Sequence, residues 1–140
     1  QLFEEMDAPY IIAFSKWTHE HNSLFWYHNC GITRKFIMDG DFNKLGLDVY
    51  ETVSPPPAGD NDLAESRKYL DKSICSKGNL DLVLLRDGKT EDVVEATRNI
   101  VRACKGYKHI VSTADAVLEG TPAENFIEHI KSANEEIAKL

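Results

Sequence analysis

At 140 residues, with 42% apolar and 28% charged side chains, the chain has the length and composition of one folded domain with a real core, not of a disordered or fibrous protein. Its 16 basic residues are outnumbered by 23 acidic ones, a net charge of −7 with no basic cluster, which excludes a nucleic-acid partner held by phosphate contacts. No apolar run nears the ~20 residues of a membrane span, no signal-peptide pattern opens the chain, and three irregularly spaced cysteines do not form a disulfide framework, so a reducing cytoplasm is the expected setting.

The first residue is Gln1 and not Met, which predicts a processed chain or a piece of a longer one. Asp7 and Pro9 open a helix whose apolar content is Ile11, Ile12, Phe14 and Trp17 and which ends near Asn22; Asp7 suits the N-cap, and a proline in the first turn costs little. Residues 23–30 read as a strand. Residues 33–45 read as a helix carrying Phe36, Ile37, Phe42 and Leu45, weakened by Gly40 and stopped by Gly46. Residues 47–53 are the second strand, and the run SPPPAGDND after it is a loop, because three prolines exclude regular structure. A helix over 63–71 and a short strand over 73–77 follow; GNLDLVLLRDGK then connects, with a single helical turn. The clearest helix spans 91–105, with Val93, Val94, Ala96, Ile100, Val101 and Cys104 on a 3.6-residue stripe, Thr90 as cap and Glu91 and Asp92 at the positive end of its dipole. Residues 109–113 form the fourth strand. Thr121-Pro122-Ala123-Glu124 has the pattern of a capping box before a last helix that runs to about Ala138.

One helix followed by four βα units predicts an α/β fold with a parallel sheet and helices packed outside it. The spacing of about 30 residues per unit is that of a (β/α)8 TIM barrel, which needs roughly 200 residues or more. The economical reading is therefore a single domain over 1–140 that forms the C-terminal half of such a barrel; a small free-standing sheet is the alternative. Open strand edges on a half barrel invite association, so a homo-oligomer is expected.

In parallel α/β folds the working residues lie at the C-terminal ends of the strands. The first end offers His28 and Cys30, which share a face with Leu24 and Trp26 because strand side chains alternate. The second offers Glu51, the third Gly78 and Asn79 with Cys75 further back, and the fourth Asp115 after Ser112 and Thr113. Nitrogen, sulfur and oxygen donors gathered at one edge are what zinc takes in a tetrahedral site. Each has a plainer role as well: Cys30 as a buried packing residue, Glu51 as an ion-pair partner, Asp115 as a turn cap. Cys104 is core, Cys75 core or a reserve ligand, and His19, His21, His109 and His129 read as surface or helix-end residues; Trp26 and Tyr27 read as packing.

HNCG at a strand end, then LGLDVYE, GNLD and GTPAENF before a final helix, resemble the C-terminal part of the uroporphyrinogen decarboxylase superfamily. GNLD and TPAENF resemble the superfamily at large, and HNC its zinc-dependent corrinoid methyltransferase branch. The resemblance implies a (β/α)8 barrel, zinc on His28 and Cys30 with Glu51 and Asp115 completing the set, and catalytic roles for Glu51 and Asn79. It implies a corrinoid on a partner protein and a small-molecule methyl donor or acceptor: a thiol, a methoxylated compound or a methylamine. Asp115 stands where the corrinoid-to-thiol enzymes have a second cysteine, a harder and less electron-rich donor. Asn79 is expected to hydrogen-bond substrate or a ligand, and the proline loop to shape the mouth of the site. Two other functions stay open. A tetrapyrrole decarboxylase needs cations for substrate carboxylates, of which Lys77 is the nearest; a half barrel can also be a non-catalytic module.

Overall fold

Four short strands pair in parallel and in sequence order: β1 (Trp26–His28), β2 (Val49–Glu51), β3 (Cys75–Leu80) and β4 (His109–Thr113). The structure is a computed structural model describing residues 2–140. Helix α1 (Ala8–Glu20) precedes β1, and α2 (Arg34–Met38) and α3 (Leu63–Tyr69) make the next two crossovers. A pair, α4 (Leu82–Asp87) and α5 (Thr90–Ala103), joins β3 to β4, and α6 (Ala123–Ile137) closes the chain. Among the described residues no helix is long and apolar enough to cross a membrane.

The register fixes which side chains share a face. Tyr27, Tyr50, Ser76 and His109 form one row across the sheet, and His28, Glu51, Lys77 and Ile110 the next. Because side chains alternate, the first row turns to the helices and the second to the opposite, open face. The helix side is a closed core. Phe42 is fully buried, with its ring 4.8 Å from Tyr50, 5.8 Å from Phe36 and 6.0 Å from both Tyr27 and Phe3. Leu80, Leu85, Val93 and Ile100 continue the same cluster.

The expected elements are all present, with changed limits. The first two strands are shorter than 23–30 and 47–53, whereas β3 runs on through Gly78 and Asn79. The helix expected over 33–45 is broken: Gly40 adopts a left-handed φ of 74°, a conformation costly for any residue with a Cβ. The chain then re-enters as a 3-10 turn over Phe42–Lys44, which drives Phe42 inward. The GNLDLVLLRDGK connection holds a six-residue helix capped by Asp81, whose carboxylate accepts the Leu84 N–H at 2.7 Å.

Three expected caps do not form. Asp7 is the last residue of a π-helical turn over Phe3–Asp7 that runs straight into α1, and its side chain makes no cap hydrogen bond. Thr90 is the first residue of α5, and its hydroxyl donates to Asn125 Oδ1 at 2.8 Å. Thr121 turns back to donate to the Leu118 carbonyl at 2.8 Å, which leaves the capping box unmade.

The α5–α6 contact is polar at its centre. His129 is buried, with Nδ1 2.8 Å from Thr97 Oγ1, and Arg102 Nε donates to Glu136 Oε1 at 2.7 Å. Arg67 is also fully buried, its guanidinium 4.8 Å from the Tyr107 ring centroid and bonded to the Ile74 carbonyl at 3.2 Å. Strands β1 and β4 have no outer neighbour among the described residues. The end helices flanking them expose apolar side chains: Tyr10, Phe14 and Trp17 on α1, Ile127 and Ile130 on α6.

His109 is no surface residue. Its ring lies between Ser76 Oγ (2.7 Å from Nδ1) and the Gly78 carbonyl (2.9 Å from Nε2). Burial, outweighing the bond to Gly78, lowers its pKa from 6.5 to about 4. Between those values the unfolded chain binds the proton and the folded chain does not, so stability falls as pH drops through this window, by at most about 3 kcal/mol. His129, also held low by burial, acts in the same direction. Urea unfolding from about pH 7 to about pH 4.5 should show a falling midpoint, and His109→Asn should lose much of the slope. Equal slopes in both proteins would contradict this assignment.

Candidate metal centre

The parallel sheet brings the four strand ends to one edge, and three of the sequence-predicted ligands meet there. One donor atom each from His28, Cys30 and Asp115 lies within 4.8 Å of the others. His28 ends β1, Cys30 sits two residues on in the turn, and Asp115 follows β4. A tetrahedral zinc ion spaces its donors about 3.4–3.7 Å apart, from bonds of roughly 2.0–2.3 Å. The three side chains therefore stand near the separation an ion requires, and an N, S, O set with a fourth position open suits zinc. Asp115 keeps its turn-capping role as well: Oδ1 accepts the Ala116 N–H at 2.7 Å. Cys30 is a free, exposed thiol, Cys104 is buried in the core as expected, and Cys75 is half-buried and outside the cluster.

Glu51 is not part of the three. Its position in the register puts it between His28 on β1 and Lys77 on β3. Oε1 pairs with the Lys77 ammonium, and Oε2 accepts the Trp26 indole N–H at 2.6 Å. His28 Nδ1 lies 3.8 Å from Oε1, within ion-pair reach but beyond a hydrogen bond. Burial pushes the Glu51 carboxyl up, but the Lys77 and Trp26 hydrogen bonds outweigh it and leave the group below the usual carboxylate range. Glu51 is thus a committed anion beside His28. Trp26, expected as packing, is 46% exposed; its N–H fixes Glu51, and the Lys77 ammonium sits 5.9 Å from its ring centroid.

Asn79 is buried, and its Nδ2 donates to the Val53 carbonyl at 2.9 Å, which ties the end of β3 to the chain leaving β2. Sequence reasoning missed the polar group beneath the HNCG turn. Thr33 is buried, and its hydroxyl accepts from Tyr50 Oη at 2.9 Å and from Asn61 Nδ2 at 2.8 Å. Tyr50 also reaches the Asn29 carbonyl at 3.2 Å, and burial raises its phenol out of the ordinary range. Asp60 Oδ1 accepts the backbone N–H groups of Thr33 (2.9 Å) and Arg34 (3.0 Å). The only local signal was a GDND sequence typical of turns; partners 27 residues apart leave no short-range pattern.

Four parallel strands in sequence order, alternating with helices and bringing side-chain donors together at their C-terminal ends, are the arrangement of part of a TIM barrel. The chain is 37% identical, over 146 aligned positions, to the uroporphyrinogen decarboxylase of Prochlorococcus marinus strain NATL1A, covering 96% of this chain and 37% of that protein. It is 28% identical over 141 positions to the chloroplastic uroporphyrinogen decarboxylase 2 of Arabidopsis thaliana, covering 95% of this chain and 32% of that one. A methyltransferase from Methanosarcina mazei superposes on 95% of this chain and 36% of its own, with a TM-score of 0.78 and 14% identity, a likeness of fold. No protein-family model matches. The chain is thus similar over nearly its whole length to uroporphyrinogen decarboxylases and spans about a third of the length of these curated relatives.

Lys77→Met should raise the titration midpoint of the Glu51 carboxyl, because it removes the hydrogen bond and the opposite charge that favour ionisation. Carbon-13 NMR of the glutamate carboxyls measures it. An unmoved midpoint would show that Lys77 does not hold Glu51.

Proposed function

We propose that this chain carries the metal-binding portion of a zinc-dependent methyltransferase, which moves a methyl group between a corrinoid on a partner protein and a small molecule. The convergence of His28, Cys30 and Asp115 from opposite ends of the sheet carries this reading. Bound zinc supplies Lewis acidity to the substrate heteroatom that gains or loses the methyl group. His28, Cys30 and Asp115 hold the ion and leave one position for that heteroatom. A single thiolate with a carboxylate makes a harder donor set than two thiolates, and so favours a methoxyl oxygen or an amine nitrogen over a thiol. Glu51, kept ionised by Lys77 and Trp26, orients the His28 ring by charge from 3.8 Å. Asn79, spent on Val53, supports the frame of the site.

Uroporphyrinogen decarboxylation is the second reading, favoured by the names of the relatives that align over nearly the whole chain. A substrate rich in carboxylates calls for free cations. Lys77, the one lysine or arginine on the four strands, is already paired with Glu51.

The protein carrying this chain should demethylate methylcobalamin in the presence of a suitable acceptor, or methylate cob(I)alamin from a methoxylated or methylamine donor. His28→Ala and Cys30→Ala should lower the rate by about a hundredfold or more, as expected when a metal ligand is removed. Turnover of uroporphyrinogen with no transfer to or from cobalamin would overturn the proposal in favour of the second reading.

A further inference from the structure

We infer that the loop over residues 52–61, between β2 and α3, is a calliper that sets the distance between Cys30 and Asp115, with Gly59 and Asp60 as its positioning residues. The inference rests on the metal-site reading above for its purpose, though not for its geometry. Cys30 and Asp115 follow β1 and β4, the two strands farthest apart in the sheet, so no strand pairing relates them directly. The loop touches the backbone beside each.

At the Cys30 side the contact is close and specific. A Cβ on Gly59 would lie 2.6 Å from the Gly31 carbonyl oxygen and 2.4 Å from that of Ser54, so only glycine lets the loop seat against the residue after Cys30. The loop is itself closed by Gly59 N–H to the Pro55 carbonyl (2.8 Å) and Asn61 N–H to the Ser54 carbonyl (3.1 Å). Asp60 then takes the two N–H groups of Thr33 and Arg34 through one oxygen, pinning the turn just beyond Gly31. Asn61 adds the bond to the Thr33 hydroxyl.

At the Asp115 side the loop reaches the preceding residue. Ser54 is buried, shares a hydrogen bond with Thr52, and donates to the Ala114 carbonyl at 3.5 Å. Ala114 in turn donates its N–H to the Leu80 carbonyl at 2.8 Å, so the approach is made to a fixed backbone. One short segment thus bears on Gly31 at one end of the site and on Ala114 at the other. Three prolines in its middle remove backbone freedom, which suits a spacer of fixed length. Ligands held in place before an ion arrives bind it more tightly, because ordering is not charged to binding.

The test needs a readout that is independent of metal. In an Asp115→Cys background, with chelator present, the thiols at positions 30 and 115 are equilibrated in a glutathione redox buffer, and the cross-link is counted by peptide mass spectrometry. Its formation measures their effective concentration. With the loop intact the cross-link should form; adding Asp60→Ala or Gly59→Ala should lower the effective concentration by about tenfold or more. Asp60→Asn, which keeps an acceptor oxygen, should restore it. If Gly59→Ala does not fold by circular dichroism, Asp60→Ala carries the comparison. Equal effective concentrations with and without Asp60→Ala, or no cross-link in the intact-loop protein, would overturn the inference. Zinc titration of the native sequence against Asp60→Ala, expected to differ by about 10–100-fold, tests the metal reading separately. Absence of zinc binding there would remove the metal reading and leave the cross-link result to decide on the calliper.

Discussion

Parallel pairing of the four strands is the constraint on which everything else in this chain depends. It sends every strand's C-terminal end to one edge, and it stacks residues with matching register on one face. The row His28–Glu51–Lys77–Ile110 is its direct product. Each crossover must return the chain over the helix side, which is why Tyr50, Leu80 and Val93 are buried there and why the polar residues of the next row are left on the open face.

Within that row, local electrostatics decide which carboxylate is free to meet a cation. Glu51 stands between a histidine and a lysine, and both of its oxygens are engaged by Lys77 and Trp26. Asp115 stands beyond the end of β4, with one oxygen on the Ala116 N–H of its own turn. The site is therefore assembled from the outer strands, while the inner strand supplies charge next to it. A buried polar layer under the HNCG turn, comprising Tyr50, Thr33, Asn61 and Ser66, makes the turn rigid without placing a charge in the core.

The sequence made the fold class legible because period-2 and period-3.6 patterns alternate with clear punctuation. The limits of β4 and the positions of α5 and α6 followed from strong local patterns. The misread segments share a cause, namely competition from distant partners. Phe36, Ile37, Phe42 and Leu45 fall in one run that reads as a helix, yet Gly40 turns left-handed and lets Phe42 reach the Tyr27–Tyr50 rings. Thr90 and Thr121 have capping chemistry but spend their hydroxyls on Asn125 and Leu118. His109 and His129 looked peripheral because a lone histidine has no period of its own; their burial is set by Ser76, Gly78 and Thr97 from other elements. For the site, His28 and Cys30 were singled out on a strand expected over 23–30; β1 ends at His28, so Cys30 comes beside it from the turn and not by strand alternation. Glu51 pairs with Lys77 across the register of β2 and β3, and Asp115 arrives from the far strand β4, and neither contact leaves a local sequence pattern.

The central claim is that His28, Cys30 and Asp115 form one metal site, and metal stoichiometry tests it most directly. Elemental mass spectrometry of the purified chain after zinc loading and desalting should give about one zinc per chain, with the ion lost in His28→Ala and Cys30→Ala, weakened in Asp115→Ala and retained in Glu51→Gln. Zinc retained in folded Cys30→Ala, or no zinc in the folded native sequence, would contradict the account and leave these side chains as neighbours without a shared ligand.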